Sequence, residues 1–268
     1  MKKDNDVRDC EGKASLRGDL DGFQDDRTAP RKQRCHDGRR DEGREPIVLR
    51  ASPKVSLAGR PIAMRSRGSF RGTIISPLDD REIHYESALE RDAAYILLAD
   101  PRVAALREQV GPISFKAADG SLRQHYFDFV ATLCDGSKHA IAVKYEKDVD
   151  KSGIRDVLAR IRATATLDAR ILLRTERHIT RIKADNARLV LHANRVANVE
   201  VVAELQHFLA SVHGVAPLAD ILQAAGLSTS EGFYAAARLF GLGVIGCTNG
   251  GALTYETRVH RINNHQDK

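Results

Sequence analysis

His125-Tyr126-Phe127-Asp128-Phe129-Val130, followed after the turn signal Asp135-Gly136 by Ala140-Ile141-Ala142-Val143-Lys144, is the stretch on which the reading of this chain turns. Aromatic and β-branched residues dominate residues 122–133, which therefore read as a strand, and residues 139–145 read as its antiparallel neighbour. Asp128 is an isolated charge among strand formers, and a carboxylate in such a setting is costly unless something pairs with it. A three-residue turn at Asp135-Gly136-Ser137 sets Cys134 against Lys138 and Asp128 against Lys144, with both side chains facing the same way. A two-residue turn puts them on opposite faces, because strand side chains alternate. An ordinary cross-strand ion pair accounts for the same two residues.

Working back toward the N-terminus, residues 113–116 read as a first strand closed by Asp119-Gly120, so that three strands form an antiparallel meander. Ahead of it, Ala88, Leu89, Ala93, Ile96 and Leu97 recur at helical spacing over residues 86–99, and Pro101 stops the pattern. Glu90 falls at the edge of that helix's buried face. Glu86, one turn earlier, either substitutes for it or is a solvated residue. Residues 47–77, punctuated by Gly59, Gly68 and Gly72, read as an irregular arm made basic by Arg65, Arg67 and Arg71. Residues 1–45 carry 12 basic and 12 acidic side chains and only nine apolar ones. They are predicted to be a disordered tail, since they cannot bury enough surface to offset chain entropy.

In the other direction, Ile154, Val157, Leu158 and Ile161 make a helical stripe, residues 169–174 a short apolar strand, and residues 185–195 a third helix. Glu146 reads as a solvated strand end. Between Lys151 and Arg195 there are 11 Lys or Arg against 4 Asp or Glu, which suits either a phosphate-facing surface or a pair of solvated helices. From residue 200 the character changes. Helices at 200–212 and 217–225, a third opened by Ser228-Thr229-Ser230-Glu231 as a capping box, and a hairpin of strands around Ile245 and Tyr255 outline a winged helix-turn-helix. Arg238 is the one basic residue of the third helix, whose Phe233, Ala237, Phe240 and Leu242 favour a protein-facing or core surface over groove reading.

The division expected is a tail at 1–45, an α/β domain at 46–199 and a small winged-helix-like domain at 200–268. A hydrophobic fraction of 42%, a charged fraction of 29% and the lack of any apolar run near the ~18 residues of a membrane span point to a soluble, non-membrane protein. No secretory signal is readable behind Met1-Lys2-Lys3, so the expected compartment is cytoplasmic. Cys10, Cys35, Cys134 and Cys247 lie far apart, and even Cys35-His36 lacks a chelating spacing, so neither a zinc site nor a disulfide framework is expected.

Metal-dependent hydrolysis of a phosphodiester needs acidic oxygen ligands for a hard cation, with a lysine to position water or offset charge at phosphorus. Glu90, Asp128 and Lys144 are such a set. The runs that contain them bear a family likeness. Tyr85-Glu86-Ser87-Ala88-Leu89-Glu90-Arg91-Asp92, Asp100-Pro101-Arg102-Val103 and Arg107-Glu108-Gln109 resemble the opening of the TnsA-type transposon endonuclease domain. The strand pair around Asp128 and Lys144 resembles that domain's form of the PD-(D/E)xK pattern, and Leu172-Leu173-Arg174-Thr175-Glu176 its later strand.

The likeness covers residues 47–195 and implies a restriction-endonuclease-like mixed sheet flanked by helices. It also implies Mg2+ (or Mn2+) held by Glu90 and Asp128, assistance from Lys144, and cleavage of DNA at transposon ends beside a transposase partner. Phe127 stands where the family has proline, and Ala142 where it has Glu or Gln, so one side-chain metal contact is missing. A catalytically degraded DNA- or transposase-binding scaffold is the alternative.

Overall fold

A computed structural model describes residues 52–60, 70–164 and 167–262. In chain order it contains the hairpin β1 (Gly72–Ser76) and β2 (Arg81–Tyr85), then α1 (Ala88–Ala99), β3 (Val103–Lys116), β4 (Leu122–Leu133) and β5 (Lys138–Val143). The helices α2 (Glu146–Ser152) and α3 (Ile154–Thr164), the strand β6 (Arg170–Arg174) and the helix α4 (Arg181–Val196) follow. The chain continues through α5 (Val199–Leu209), β7 (Val215–Pro217), α6 (Leu218–Ala224), α7 (Ser230–Gly241), β8 (Ile245–Cys247) and β9 (Arg258–Arg261). The expected tail at 1–45, Cys10, Cys35, His36, Arg65 and Arg67 all lie outside the described residues.

The class is α/β. Strands β3, β4, β5 and β6 form one mixed sheet in that order, antiparallel except for the parallel β5–β6 pair, which α2 and α3 connect. One face of the sheet buries Leu106, Phe129, Ala131, Ile141 and Val143 with Leu89, Ala93, Ala94 and Leu98 of α1. The other face buries Phe115, Phe127, Ala140, Ala142 and Ile171 with Val149, Ile154, Leu158 and Ile161 of α2 and α3. Helices on both faces explain why β5 reads as an unbroken apolar run rather than an alternating one.

A third cluster joins α5, α6, α7 and the three-stranded sheet β7-β9-β8, and takes in Ala193 of α4. Ala235, Ala236, Ala237 and Leu239 of α7 are buried there, with Phe233, Tyr234 and Phe240 packed against them. The apolar side of α7 is therefore core. Among the described residues no helix is long and apolar enough to cross a membrane.

Several local expectations are corrected. The end of the arm read as irregular holds β1, which pairs with β2 from Gly72↔Tyr85 to Ser76↔Arg81. Its Thr73-Ile74-Ile75 run is too short to stand out beside the glycines. β3 begins ten residues before Ile113, at Val103, because Gly111-Pro112 is absorbed as an irregularity where the register to β4 shifts between Val110 and Ile113.

The β4–β5 loop is three residues long but one position earlier than expected. Leu133 N–H bonds to Ser137 O at 2.8 Å around Cys134-Asp135-Gly136, with Gly136 at φ 84°. Glu146 is not a strand end but the first residue of α2, a helix that buries only Val149 and so shows no apolar stripe. Thr229, not Ser228, is the N-cap of α7, and its side chain makes no capping bond. The last strand lies at Arg258–Arg261, beyond Tyr255, whose ring packs 4.6 Å from that of Phe233.

Candidate active site

Asp128 sits where β4 and β5 stop pairing. The ladder runs from Thr132↔Lys138 to Phe129↔Ile141, and beyond it the Asp128 carboxylate accepts the Val143 N–H at 2.7 Å in place of a strand partner. The alternation of β4 slips at the same point. Phe127 and Phe129, two residues apart, lie in the clusters on opposite faces of the sheet. Continued by one pair, this register sets Asp128 against Ala142, not Lys144, which corrects the pairing expected from a turn at Asp135-Gly136-Ser137. Lys144 follows the end of β5, half-buried, with its N–H bonded to Arg174 O at 3.0 Å.

Glu90 reaches the same region from the first turn of α1. Ser87 caps that helix by accepting the Glu90 N–H at 3.1 Å, and the Glu90 carboxylate accepts from Ser87 Oγ at 2.9 Å and Glu86 N–H at 2.8 Å. Ser87-Ala88-Leu89-Glu90 is thus a variant of the reciprocal Ser-x-x-Glu cap, a signal present in the sequence but overlooked beside the functional reading of Glu90. A carboxylate has about four lone-pair positions, so two hydrogen bonds leave acceptor capacity on Glu90.

Electrostatics ties the two acids together. Burial, and then the charge of Glu90, push Asp128 up to about 7, against the lowering effect of the Val143 N–H, Lys144 and Arg60. Glu90 is itself raised, first by burial, with Glu86 adding to the shift and Arg60 opposing it. The effect of Glu90 on Asp128 is the expected one when Glu90 ionises first and its neighbour must ionise against that charge. The charge of Lys144 is also felt at His125, whose imidazole is held below its usual range by burial and then by Lys144. His125 Nε2 is buried without a hydrogen-bond partner, and the ring stands edge-on to Phe127 at 4.8 Å.

Glu86 and two residues not singled out as a site by sequence, Arg60 and Gln109, complete the surroundings. Arg60 Nε donates to Gln109 Oε1 at 2.7 Å, and Arg60 Nη2 pairs with Glu86. Glu86 is therefore neither a free substitute for Glu90 nor a solvated residue. Gln109 is buried and has a left-handed backbone, φ 47°, which no sequence pattern announces for a glutamine.

The donor set of Glu90 and Asp128 is of the hard-oxygen type, and two carboxylates that resist ionising together gain from a divalent cation between them. Ala142, 2% exposed within the α2/α3 cluster, offers no third ligand. Among the described residues no three His, Cys, Asp or Glu side chains gather in a group able to hold a metal. Glu146, whose N–H donates to Glu176 Oε2 at 2.9 Å and whose carboxylate lies 3.6 Å from Arg177, belongs to a different surface. Comparison with known protein families gives no match, and no curated protein is significantly similar to the chain.

Proposed function

We propose that the chain is a metal-dependent DNA endonuclease of the TnsA type, acting in the cytoplasm beside a transposase partner. What carries this reading is that the charges of Glu90, on a helix, and of Lys144, just after the next strand, both act on the carboxyl of Asp128, on a strand. The strand order β3-β4-β5-β6 with helices on both faces supports a restriction-endonuclease-like core, and the order α5-β7-α6-α7-β8-β9 supports a winged-helix-like C-terminal domain.

In this reading Glu90 and Asp128 hold Mg2+ (or Mn2+), which supplies Lewis acidity toward a phosphodiester oxygen. Asp128 must give up its proton to do so, which its raised affinity for protons defers to neutral pH. The bond from Val143 N–H fixes the carboxylate while leaving one oxygen free. Lys144 beside it would offset charge developing at the phosphate and orient a water.

A second reading, a DNA- or transposase-binding scaffold without catalysis, is favoured by one observation: Ala142 removes a ligand position and fills it with an apolar contact. Titration calorimetry of Mn2+ and Mg2+ into the full chain and into Asp128→Asn, with and without a short duplex, separates the two. Cation binding that needs Asp128 supports the nuclease, to be followed by a nicking assay with the transposase. No binding in any of these conditions leaves the scaffold.

A further inference from the structure

The segment 52–60 is laced to the molecule through both its backbone and its side chains. Lys54 N–H bonds to Asp80 O at 2.8 Å, Glu82 N–H to Lys54 O at 2.9 Å, and Gly59 N–H to Gln109 O at 2.9 Å. Ser56 Oγ donates to the buried Glu108. At its end Arg60 is gripped from two sides, by Gln109 Oε1 at 2.7 Å and by the Glu86 carboxylate.

Two uncommon features serve that grip. Gln109 has a left-handed backbone at φ 47°, a conformation that is unfavourable for a residue with a Cβ and that concentrates at functional positions. Gly59 lies so close to β3 that a Cβ would fall 2.8 Å from both Gln109 O and Gly111 O. A strained glutamine and an obligatory glycine are more than is needed to tie down a surface arginine.

The arginine they hold pairs with Glu86, whose backbone N–H donates to the Glu90 carboxylate at 2.8 Å, and its charge favours the ionised forms of both Glu90 and Asp128. Its side chain remains 41% exposed. Of the five guanidinium N–H groups, the bonds to Gln109 and Glu86 take Nε and Nη2, which leaves donors for a further ligand. An anion that approaches two carboxylates needs a fixed cation at the entrance, and a planar fork held on one edge suits a phosphate oxygen.

We propose that Arg60 is a substrate-binding residue that receives a DNA backbone phosphate next to Glu90 and Asp128, with Gln109 and Glu86 setting its orientation. The identity of the anion as a phosphodiester rests on the nuclease reading; the preorganised guanidinium does not.

The test is the affinity of the full chain for a fluorescein-labelled 20-base-pair duplex in EDTA, measured by anisotropy at several salt concentrations. The variants are Arg60→Gln, Arg60→Lys and Asp128→Asn. Arg60→Gln is expected to weaken binding about 5- to 10-fold and to flatten the salt dependence by about one phosphate contact. Arg60→Lys should keep the slope and lose about 2- to 5-fold in affinity, because the charge survives and the fork does not. Asp128→Asn should bind as well as the wild type or better.

Wild-type affinity and slope in Arg60→Gln overturn the proposal and leave Arg60 as a structural ion pair, without touching the nuclease reading. If Arg60→Gln does not fold, Arg60→Lys decides: affinity equal to wild type overturns the proposal. Wild-type protein that binds no duplex overturns both. Loss of binding in Arg60→Gln, alongside a calorimetric titration without cation uptake, keeps Arg60 and sinks the nuclease mechanism.

Discussion

The Asp128 carboxylate accepts the Val143 backbone N–H at 2.7 Å, standing in for a strand that has begun to diverge. A side chain that closes a sheet ladder is fixed as firmly as backbone, and one that does so next to Glu90 holds its proton tightly. Strand divergence, rather than strand pairing, is what makes room for a second acid beside the first.

A pH dependence follows from the Asp128 carboxyl, pushed up to about 7 by burial and by Glu90. In the unfolded chain this group loses its proton near pH 4, while the folded protein keeps it until about 7. The folded state therefore binds the extra proton between those values, and its stability falls as pH rises through that window and levels off above it. Asp128→Asn, whose amide oxygen can still accept from Val143, lacks this fall. Melting temperatures in EDTA at pH 5 and pH 8 should show the variant gaining on the wild type by about 5–10 °C, on the order expected for about 2–3 kcal/mol in a chain this size. A gap that does not move with pH contradicts the assigned environment of Asp128.

Capping and ligation are separable at Glu90. Ser87→Ala removes the acceptor for the Glu90 N–H and the donor to its carboxylate, and should cost about 1 kcal/mol. It leaves the Glu90 charge in place, so any cation affinity should fall less than 3-fold. Glu90→Gln does the opposite. Its amide oxygen can still serve Glu86 N–H, so stability should change little, while cation uptake is lost. Chemical denaturation and calorimetry on the same pair of variants check both arms, and equal loss of cation binding in the two would mean that Glu90 acts only through the helix end.

The sequence makes Asp128 conspicuous because it interrupts a strand pattern, and makes Glu90 visible because Ala88, Leu89 and Ala93 define the face it borders. The register between Asp128 and Lys144 was not legible, since it depends on a turn that starts at Cys134 rather than Asp135, and one shifted residue moves every pair. Arg60 and Gln109 were invisible for another reason. They are 49 residues apart, and their meeting depends on a left-handed glutamine and on a strand that Gly111-Pro112 disguises. Short elements such as β1 and α2 were missed because five or seven residues carry too little periodicity to compete with glycines and charges.

Among the described residues, the most buried ion pair joins β2 to β3, and Ser56 of the segment 52–60 bonds to its carboxylate. Arg81 Nη1 donates to Glu108 Oε2 at 2.9 Å, with Glu108 fully buried, and Arg81 also bonds to Leu106 O and to Asp79 at 3.0 Å. Removing one member leaves a buried charge without its partner, so Arg81→Ala should lose about 3–5 kcal/mol in urea unfolding. Replacing both, Arg81→Met with Glu108→Gln, should recover at least half of that loss, because no charge is stranded. A double variant as unstable as Arg81→Ala would show that the bonds to Leu106 and Asp79, not the ion pair, carry the stability.

The seam between α4 and α7 rests on one glycine. A Cβ on Gly241 would lie 2.4 Å from Val190 Cγ1, and Val190 is buried, so neither side chain can turn away into solvent. Gly241 ends α7 at an ordinary negative φ, and alanine is otherwise favoured there for its lower chain entropy. Close packing, not backbone conformation, therefore selects glycine, and Gly241→Ala should lose about 1–3 kcal/mol by overpacking. Val190→Ala alone leaves a void and should also destabilise. The two together place a methyl group where a methyl group was removed, so their combined loss should be smaller than the sum by about 1 kcal/mol or more, as contacting residues in a double-mutant cycle behave. Strict additivity in thermal or urea unfolding would mean that α7 shifts along α4 to accept the alanine, and that the seam between α4 and α7 is compliant rather than fitted.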